Sequence, residues 1–122
     1  MVACAKSADE SKREALAAAG CEVLLLEAKD DNAQLNELFQ RLAERGMMNV
    51  LVEGGSQLLG SLFDAKLIDE VHAFIATKLI GGTGSLPPLG GSGLEKMAAA
   101  VSLHQPTIET LDGDIYVHGR IE

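Results

Sequence analysis

The stretch Asn49-Val50-Leu51-Val52-Glu53-Gly54-Gly55-Ser56 joins a short apolar run to a pair of glycines. Asn49–Val52 is typical of a strand that is buried on both faces of a parallel sheet. The apolar residues that follow recur at helical spacing and predict an amphipathic helix ending near Lys66: Leu58, Leu59, Leu62 and Phe63. The stretch therefore predicts a strand, a tight glycine turn and a helix, in that order.

The same alternation of strand and helix extends back to the start of the chain. Val2–Ala5 is typical of the end of a strand, and Ser7 and Glu10 match a capping box for a helix through about residue 19. Gly20 suits the position after that helix, and Cys21–Leu26 is a second apolar, strand-like run.

A second helix is predicted between residue 30, where Asp30-Asp31-Asn32 are cap residues, and Gly46. Its apolar residues share one face: Leu35, Leu38, Phe39 and Leu42. Residues 2–65 therefore predict βαβ units and a parallel sheet.

The second half of the chain has a different pattern. Val71–Ile80 predicts a long strand, residues 81–94 are rich in glycine, and residues 94–100 suit a short helix. Asp112-Gly113 separates two strand-like runs, 107–111 and 115–121, which is a strong hairpin signal. We expect one α/β domain over residues 1–122, with a mixed sheet flanked by helices, parallel strands first and an antiparallel C-terminal hairpin.

Composition excludes several classes of function. The formal net charge is −8 and there is no basic stripe, so we expect no nucleic-acid partner. No apolar run reaches the 18 or so residues of a membrane span, so we expect no membrane partner. Cys4 and Cys21 make no disulfide framework, which favours a reducing, cytoplasmic location.

The glycine turn is the strongest candidate site. Gly54 and Gly55 would let a ligand approach the backbone, and the first N–H groups of the next helix would bind a phosphate. A plain tight turn is the alternative. Glu53, at the end of the predicted strand, is the acidic residue best placed to bind a substrate, although it could equally assist the helix cap.

Other candidates carry weaker signals. His72 and Lys78 would share one face of the long strand, more often a solvated face than a ligand site. His104 and His118 have no metal-ligand spacing, so we expect no metal. The loop 81–94 could be a lid over the site or a passive connector, and we favour the connector.

An ordered set of motifs resembles the reductase domain of the bifunctional riboflavin-biosynthesis deaminase/reductase. The set comprises Asn49–Ser56, Leu62, Leu67-Ile68-Asp69-Glu70, Lys78–Gly82, Gly93–Met97 and Gly113-Asp114-Ile115. The resemblance implies a dihydrofolate-reductase-like fold. It also implies NADPH-dependent reduction of 5-amino-6-(5-phosphoribosylamino)uracil to the ribitylamino product, in a homodimer.

The resemblance also implies roles for particular residues. Glu53 would contact the substrate, a pyrimidine ribotide, and Lys6 would approach the adenosine end of the cofactor. The glycine pair and the first helical turn would hold NADPH: Gly54, Gly55, Ser56, Gln57, Leu58, Leu59 and Gly60. No catalytic proton donor is identified.

The sequence departs from the family in two ways. Reductase domains of this family are longer, so we expect the C-terminal portion of one, truncated at its N-terminus. The His-x-Glu and Cys-x-x-Cys signature of zinc deaminases is absent from the sequence, so we expect no deaminase domain. The alternatives are a non-catalytic dimerisation remnant of this fold and a related reductase of a pterin-type ring.

Overall fold

Strands and helices alternate along the first half of the chain in the computed structural model, which describes residues 1–84 and 87–121. The chain divides into two units, Met1–Glu53 and Gly54–Glu122. The first unit contains β1 (Val2–Ala5), α1 (Glu10–Ala18), β2 (Val23–Leu26) and α2 (Asp31–Glu44). β1 and β2 pair in parallel, from Val2 opposite Val23 to Ala5 opposite Leu26. The predicted βαβα order of this half is therefore confirmed.

The start of α1 differs from the predicted capping box. Asp9, and not Ser7, is the N-cap residue, and its carboxylate accepts hydrogen bonds from the N–H groups of Ser11 and Lys12. The Ser11 hydroxyl also donates to this carboxylate, at 2.6 Å. A carboxylate makes stronger hydrogen bonds than a hydroxyl does, and this explains why the helix begins two residues later than the capping box predicts.

The three α-helices of the described residues all end in a Schellman motif. After α1, Gly20 N–H donates to Ala17 and Cys21 N–H donates to Leu16, the paired bonds of a Schellman motif. Gly46 occupies the equivalent position after α2, so both predicted helix ends are confirmed. After α3 (Ser56–Asp64), Lys66 takes this position with a φ of 56°.

The second unit is built around a central strand. It contains α3, β3 (Glu70–Ile75), a short 3₁₀ helix (Met97–Ala99), β4 (Leu103–Leu111) and β5 (Asp114–Ile121). The strand order is β3–β5–β4, and both pairings are antiparallel. Asp112 and Gly113 form the turn between β4 and β5 with positive φ angles, which confirms the predicted hairpin.

The predicted strand Asn49–Val52 is wrong. Residues 47–53 have no regular secondary structure, and the side chains of Val50 and Leu51 are 42% and 76% exposed. A strand needs a hydrogen-bonded neighbour, and β1 and β2 pair only with each other. Within residues 1–84 and 87–121, the parallel and antiparallel strands therefore form two separate sheets instead of one mixed sheet, while the α/β class is confirmed.

Three element boundaries also differ from prediction. β3 ends at Ile75, so Lys78 lies outside the strand and does not share a face with His72. Residues 94–100 form only the 3₁₀ turn and no α-helix. β4 begins four residues before the predicted position, with an irregularity between His104 and Thr107. Pro106 lies in that irregular segment, where its lack of an N–H group is tolerated.

Few side chains of the described residues are buried. Among them, Leu26 and Leu42 form the buried apolar core of the first unit, and Leu62 on α3 is buried in the second. Among the residues that the structure describes, no helix combines the length and apolar character required to cross a membrane.

The cap of α1 gives a prediction about pH. Hydrogen bonds from the Ser11 hydroxyl and from the N–H groups of Lys12 and Ser11 hold the pKa of Asp9 below its ordinary value. A lowered pKa contributes stability above the unfolded value of about 3.9, and this contribution is lost as the pH falls below it. We expect Asp9→Asn, which keeps an acceptor oxygen, to lose less thermal stability than the wild type between pH 5 and pH 3.

Thermal unfolding followed by circular dichroism at the two pH values measures this difference. Asp9→Ala is the control, because it removes the acceptor and lowers stability at both values. Parallel losses of stability in the wild type and Asp9→Asn contradict the assignment.

Candidate functional site

Gly54 and Gly55 lead directly into α3, as the sequence predicts. Their φ angles are +87° and +50°, which residues with a side chain rarely adopt. A Cβ atom added to either glycine would have no neighbour within 4 Å among the residues that the structure describes. The backbone of this turn is therefore open to close approach by a ligand.

The N-terminus of α3 has no side-chain cap. Gly55 is the N-cap residue, and within residues 1–84 and 87–121 no side chain accepts a hydrogen bond from the first turn. The first N–H groups of a helix lack intrahelical partners, and the helix dipole places partial positive charge there. The local geometry therefore suits an anion, and a phosphate group is a common ligand at such a helix end.

The first turn of α3 presents both polar and apolar groups. Gln57 and Leu58 are exposed, whereas Ser56 and Leu59 are half-buried. These four residues are therefore accessible to a ligand to different degrees, and their cofactor role stays a prediction.

Gly60 has a different environment from the residues before it. It is buried, and a Cβ added to it would come within 2.2 Å of the backbone carbonyl carbon of Gly90. The structure thus places Gly60 at a helix–loop contact, where its missing side chain lets two backbone segments meet. This contact involves residues distant in sequence, so the local pattern could not reveal it.

The glycine-rich loop is attached to α3 at two points. Gly90 N–H donates to the Ser56 carbonyl at 2.8 Å, and Ser92 N–H donates to the Asp64 carboxylate at 2.7 Å. Residues 90 and 92 of the loop are therefore attached to the first and the last residue of α3. This attachment favours the connector over the lid, although residues 85 and 86 of the predicted loop lie outside the described residues.

Glu53 and Lys6, the other two predicted site residues, belong to the first unit. Glu53 is exposed and is the residue before Gly54 in the chain. Lys6 follows β1, and its ammonium group forms an ion pair with Glu27 at 2.7 Å. Because both side chains of the pair are more than half exposed, the ion pair contributes little to stability. Lys6 can therefore exchange Glu27 for another anion with little loss of free energy.

A cavity of about 350 Å³ lies where β1 and β2 end. Its lining includes Lys6, Glu27, Lys29 and Gln34. Ligands of open α/β sheets bind beyond the carboxyl ends of parallel strands, so the position of this cavity is typical of a ligand site. Lys29 and Gln34 were not expected here, although they follow the end of β2 closely in sequence.

Hydrogen bonds from α2 fix the wall of this cavity. The Glu37 carboxylate accepts from the N–H groups of Glu27 and Ala28 at 2.8 and 2.9 Å. The Gln34 amide donates to the Ala28 carbonyl at 3.1 Å. The segment after β2 is therefore held to the first half of α2, and the cavity has an ordered wall.

The helix–loop contact gives a second prediction. In Gly60→Ala the new methyl group would meet the Gly90 backbone, so we expect the loop to be displaced. Overpacking of this kind costs about 1–3 kcal/mol, against about 1 kcal/mol gained from the higher helix propensity of alanine. Hydrogen exchange should show a faster rate at the Gly90 amide, and urea denaturation should show lower stability.

Gly84→Ala is the matched control, because a Cβ added to Gly84 has no neighbour within 4 Å and its φ is not in the left-handed region. If Gly60→Ala has the same stability and the same Gly90 exchange rate as this control, the close approach of Gly60 and Gly90 does not require a glycine at position 60.

Comparisons with known proteins agree with the resemblance seen in the sequence. The family model for the RibD C-terminal domain matches residues 1–117. The riboflavin biosynthesis protein RibD of Actinobacillus pleuropneumoniae is 35% identical over 109 residues, which are 89% of this chain and 29% of that protein. The 2,5-diamino-6-ribosylamino-4(3H)-pyrimidinone 5′-phosphate reductase of Methanothermobacter thermautotrophicus is 35% identical over 83 residues, 68% of this chain and 38% of that protein.

Solved structures give the same result. RibD of Acinetobacter baumannii, form 2, superposes with a TM-score of 0.72 and 27% identity over 90% of this chain and 29% of that one. A pyrimidine reductase-like protein of Corynebacterium diphtheriae, 19% identical, shares the fold with a TM-score of 0.79 over 99% of this chain and 49% of that one. These neighbours confirm the dihydrofolate-reductase-like class. The chain spans between 21% and 29% of the length of the RibD relatives it matches, and it belongs to the RibD C-terminal domain family.

Proposed function

We propose that this chain is the C-terminal portion of a reductase domain that uses NADPH to reduce 5-amino-6-(5-phosphoribosylamino)uracil to its ribitylamino product in riboflavin biosynthesis. The observation that carries the proposal is the open glycine pair at the uncapped N-terminus of α3, in a chain of the RibD C-terminal domain family. The name of the Methanothermobacter relative, a reductase of a ribosylaminopyrimidinone phosphate, supports the substrate class.

The local charge pattern fits a phosphate-bearing cofactor although the whole chain is acidic. The formal net charge is −8, so an anion must be bound by local donors and not by the overall field. The first turn of α3 contains no acidic residue, and its N–H groups face away from the helix. The pyrophosphate of NADPH is therefore proposed to bind at Gly54, Gly55 and the N–H groups of Ser56 and Gln57.

The remaining residues of the first turn would orient and support the cofactor. When bound, NADPH supplies the hydride, and the protein supplies binding and orientation. Leu58 and Leu59 offer apolar surface beside the phosphate donors, and Gly60 would act indirectly, through the loop contact that holds α3.

Lys6 is proposed to bind the adenosine end of the cofactor. It lines the cavity at the carboxyl ends of β1 and β2, and its weak pair with exposed Glu27 leaves the ammonium group available. Such a cation would favour the additional phosphate of NADPH over NADH.

Glu53 is proposed to bind the substrate. Its carboxylate is exposed and could accept hydrogen bonds from the hydroxyl or ring N–H groups of a pyrimidine ribotide. This role is one of anchoring, and no proton transfer is assigned to Glu53.

Self-association as a homodimer and a cytoplasmic location complete the proposal. Several large apolar side chains of the second unit are more than half exposed, as is typical of residues that an interface covers: Phe74, Leu79, Ile80, Met97 and Ile108.

Cys4 and Cys21 are both free thiols, in keeping with a reducing compartment.

The cofactor site is tested by titrating the 122-residue chain with NADPH in a calorimeter at low salt. We expect saturable binding by the wild type. Binding should be at least tenfold weaker in Gly55→Val, because the side chain would occupy the space that the phosphate needs. Gly93→Val is the matched control, since Gly93 also has a positive φ and open space around an added Cβ. Equal loss in both variants, or wild-type affinity in Gly55→Val, contradicts the assignment.

The substrate role of Glu53 is tested in the chain saturated with NADPH. We expect Glu53→Gln to bind the pyrimidine ribotide about tenfold more weakly or worse, since a hydrogen bond to a charged group is worth about 1.5–3 kcal/mol. NADPH affinity should not change. Glu14→Gln, on α1, makes the same charge change and should retain wild-type substrate affinity, and an unchanged substrate affinity in Glu53→Gln would refute the role.

A further inference from the structure

The antiparallel sheet brings together three residues that are potential metal ligands. His72 on β3 and His118 on β5 are directly opposite each other in the register. Glu70 lies two residues before His72, and the two-residue period of a strand places it on the same face. The cluster is thus built from two neighbouring strands whose pairing is fixed over six residue pairs, from Glu70–Arg120 to Ile75–Ile115.

The donor atoms of the cluster converge. One Glu70 carboxylate oxygen lies 3.1 Å from His72 Nε2 and 3.9 Å from His118 Nδ1. One ligand atom from each of the three residues lies within 4.8 Å of the other two. Zinc binds imidazole nitrogen and carboxylate oxygen at about 2.0–2.2 Å, so small side-chain rotations bring all three atoms to one ion.

The side chains of the three residues are partly exposed to solvent, and the two histidine rings are in contact with each other. Their exposed fractions are 44% for Glu70, 42% for His72 and 34% for His118. The two imidazole rings are stacked, with centroids 5.6 Å apart and planes 9° from parallel. An ion can therefore reach the site from solvent, and the rings are already partly ordered.

Tyr116 supplies the outer contact that metal-bound histidines usually have. Its hydroxyl lies 2.7 Å from His72 Nδ1, on the ring nitrogen that does not face Glu70. A metal-ligating imidazole commonly donates its second N–H to an oxygen acceptor, usually a carboxylate, a carbonyl or water, which fixes its tautomer and orientation, and the Tyr116 oxygen is placed to be that acceptor. With Nε2 as the ligand atom, Nδ1–H of His72 would donate to the Tyr116 oxygen.

We propose that Glu70, His72 and His118 form a binding site for a divalent transition-metal ion of the zinc class. Two histidines and one glutamate are a known zinc ligand set that leaves a fourth position for water. The ion would join β3 to β5 through their side chains. The expectation of no metal was based on the spacing of the histidines along the chain. The sheet register brings residues 72 and 118 together although they are far apart in sequence. The proposal is independent of the cofactor site on α3.

Calorimetric titration of the untagged chain with Zn²⁺ tests the site. We expect one Zn²⁺ per chain, and at least tenfold weaker binding in His118→Ala and in Glu70→Gln. His104→Ala is the matched control, because it removes a histidine of the same sheet from outside the cluster. Wild-type affinity in His118→Ala, or an equal loss in His104→Ala, would overturn the proposal.

Two further variants separate the site from other zinc ligands of the chain. The double variant Cys4→Ser, Cys21→Ser removes both free thiols and should retain wild-type affinity. Tyr116→Phe keeps the aromatic ring but removes the hydroxyl, and we expect about tenfold weaker binding. Loss of zinc binding in the cysteine variant contradicts the proposed ligand set. Wild-type affinity in Tyr116→Phe contradicts the proposed outer contact.

Discussion

The missing side chain at Gly60 is the constraint on which the architecture of the second unit depends. Because Gly60 has no Cβ, the backbone of Gly90 and Gly91 can lie directly against α3. The loop is then held at Ser56 at one end of the helix and at Asp64 at the other. α3 is thereby attached to the loop by one backbone hydrogen bond near its start and by the Asp64 side chain at its end, while Gly54 and Gly55 keep its N-terminus open. An accessible helix N-terminus, with free N–H groups and the positive end of the helix dipole, is a common phosphate-binding site.

The sequence predicts those features that short-range chemistry determines. The helix ends at Gly20 and Gly46, the turn at Asp112-Gly113 and the glycine turn before α3 all follow from residues within a few positions of each other. Prediction failed where an apolar run was taken for a paired strand. Asn49–Val52 and residues 76–80 have strand-like composition, but a strand also needs a hydrogen-bonded neighbour, and local pattern carries no information about neighbours.

In the candidate site, too, the sequence predicted the local features and missed the contacts between distant segments. Gly54, Gly55 and the first turn of α3 were identified from local pattern, whereas the Gly60 contact and the cavity beside Lys6 depend on segments far apart in sequence. The cluster of Glu70, His72 and His118 is a further case, because its members become neighbours only through the β3–β5 register. The pairing of distant segments therefore creates clusters that the spacing of residues along the chain does not reveal. The candidate metal site and the candidate cofactor site lie on different elements of one unit.

We propose that the open N-terminus of α3 binds the phosphates of a nicotinamide cofactor. Residue-resolved hydrogen exchange of the 122-residue chain with and without NADPH tests this binding most directly. We expect slower exchange at the amides of Ser56, Gln57 and Leu58, with little change at the amides of β4 and β5. Saturable NADPH binding that leaves these three amides unprotected, or no NADPH binding by the folded chain, would contradict it.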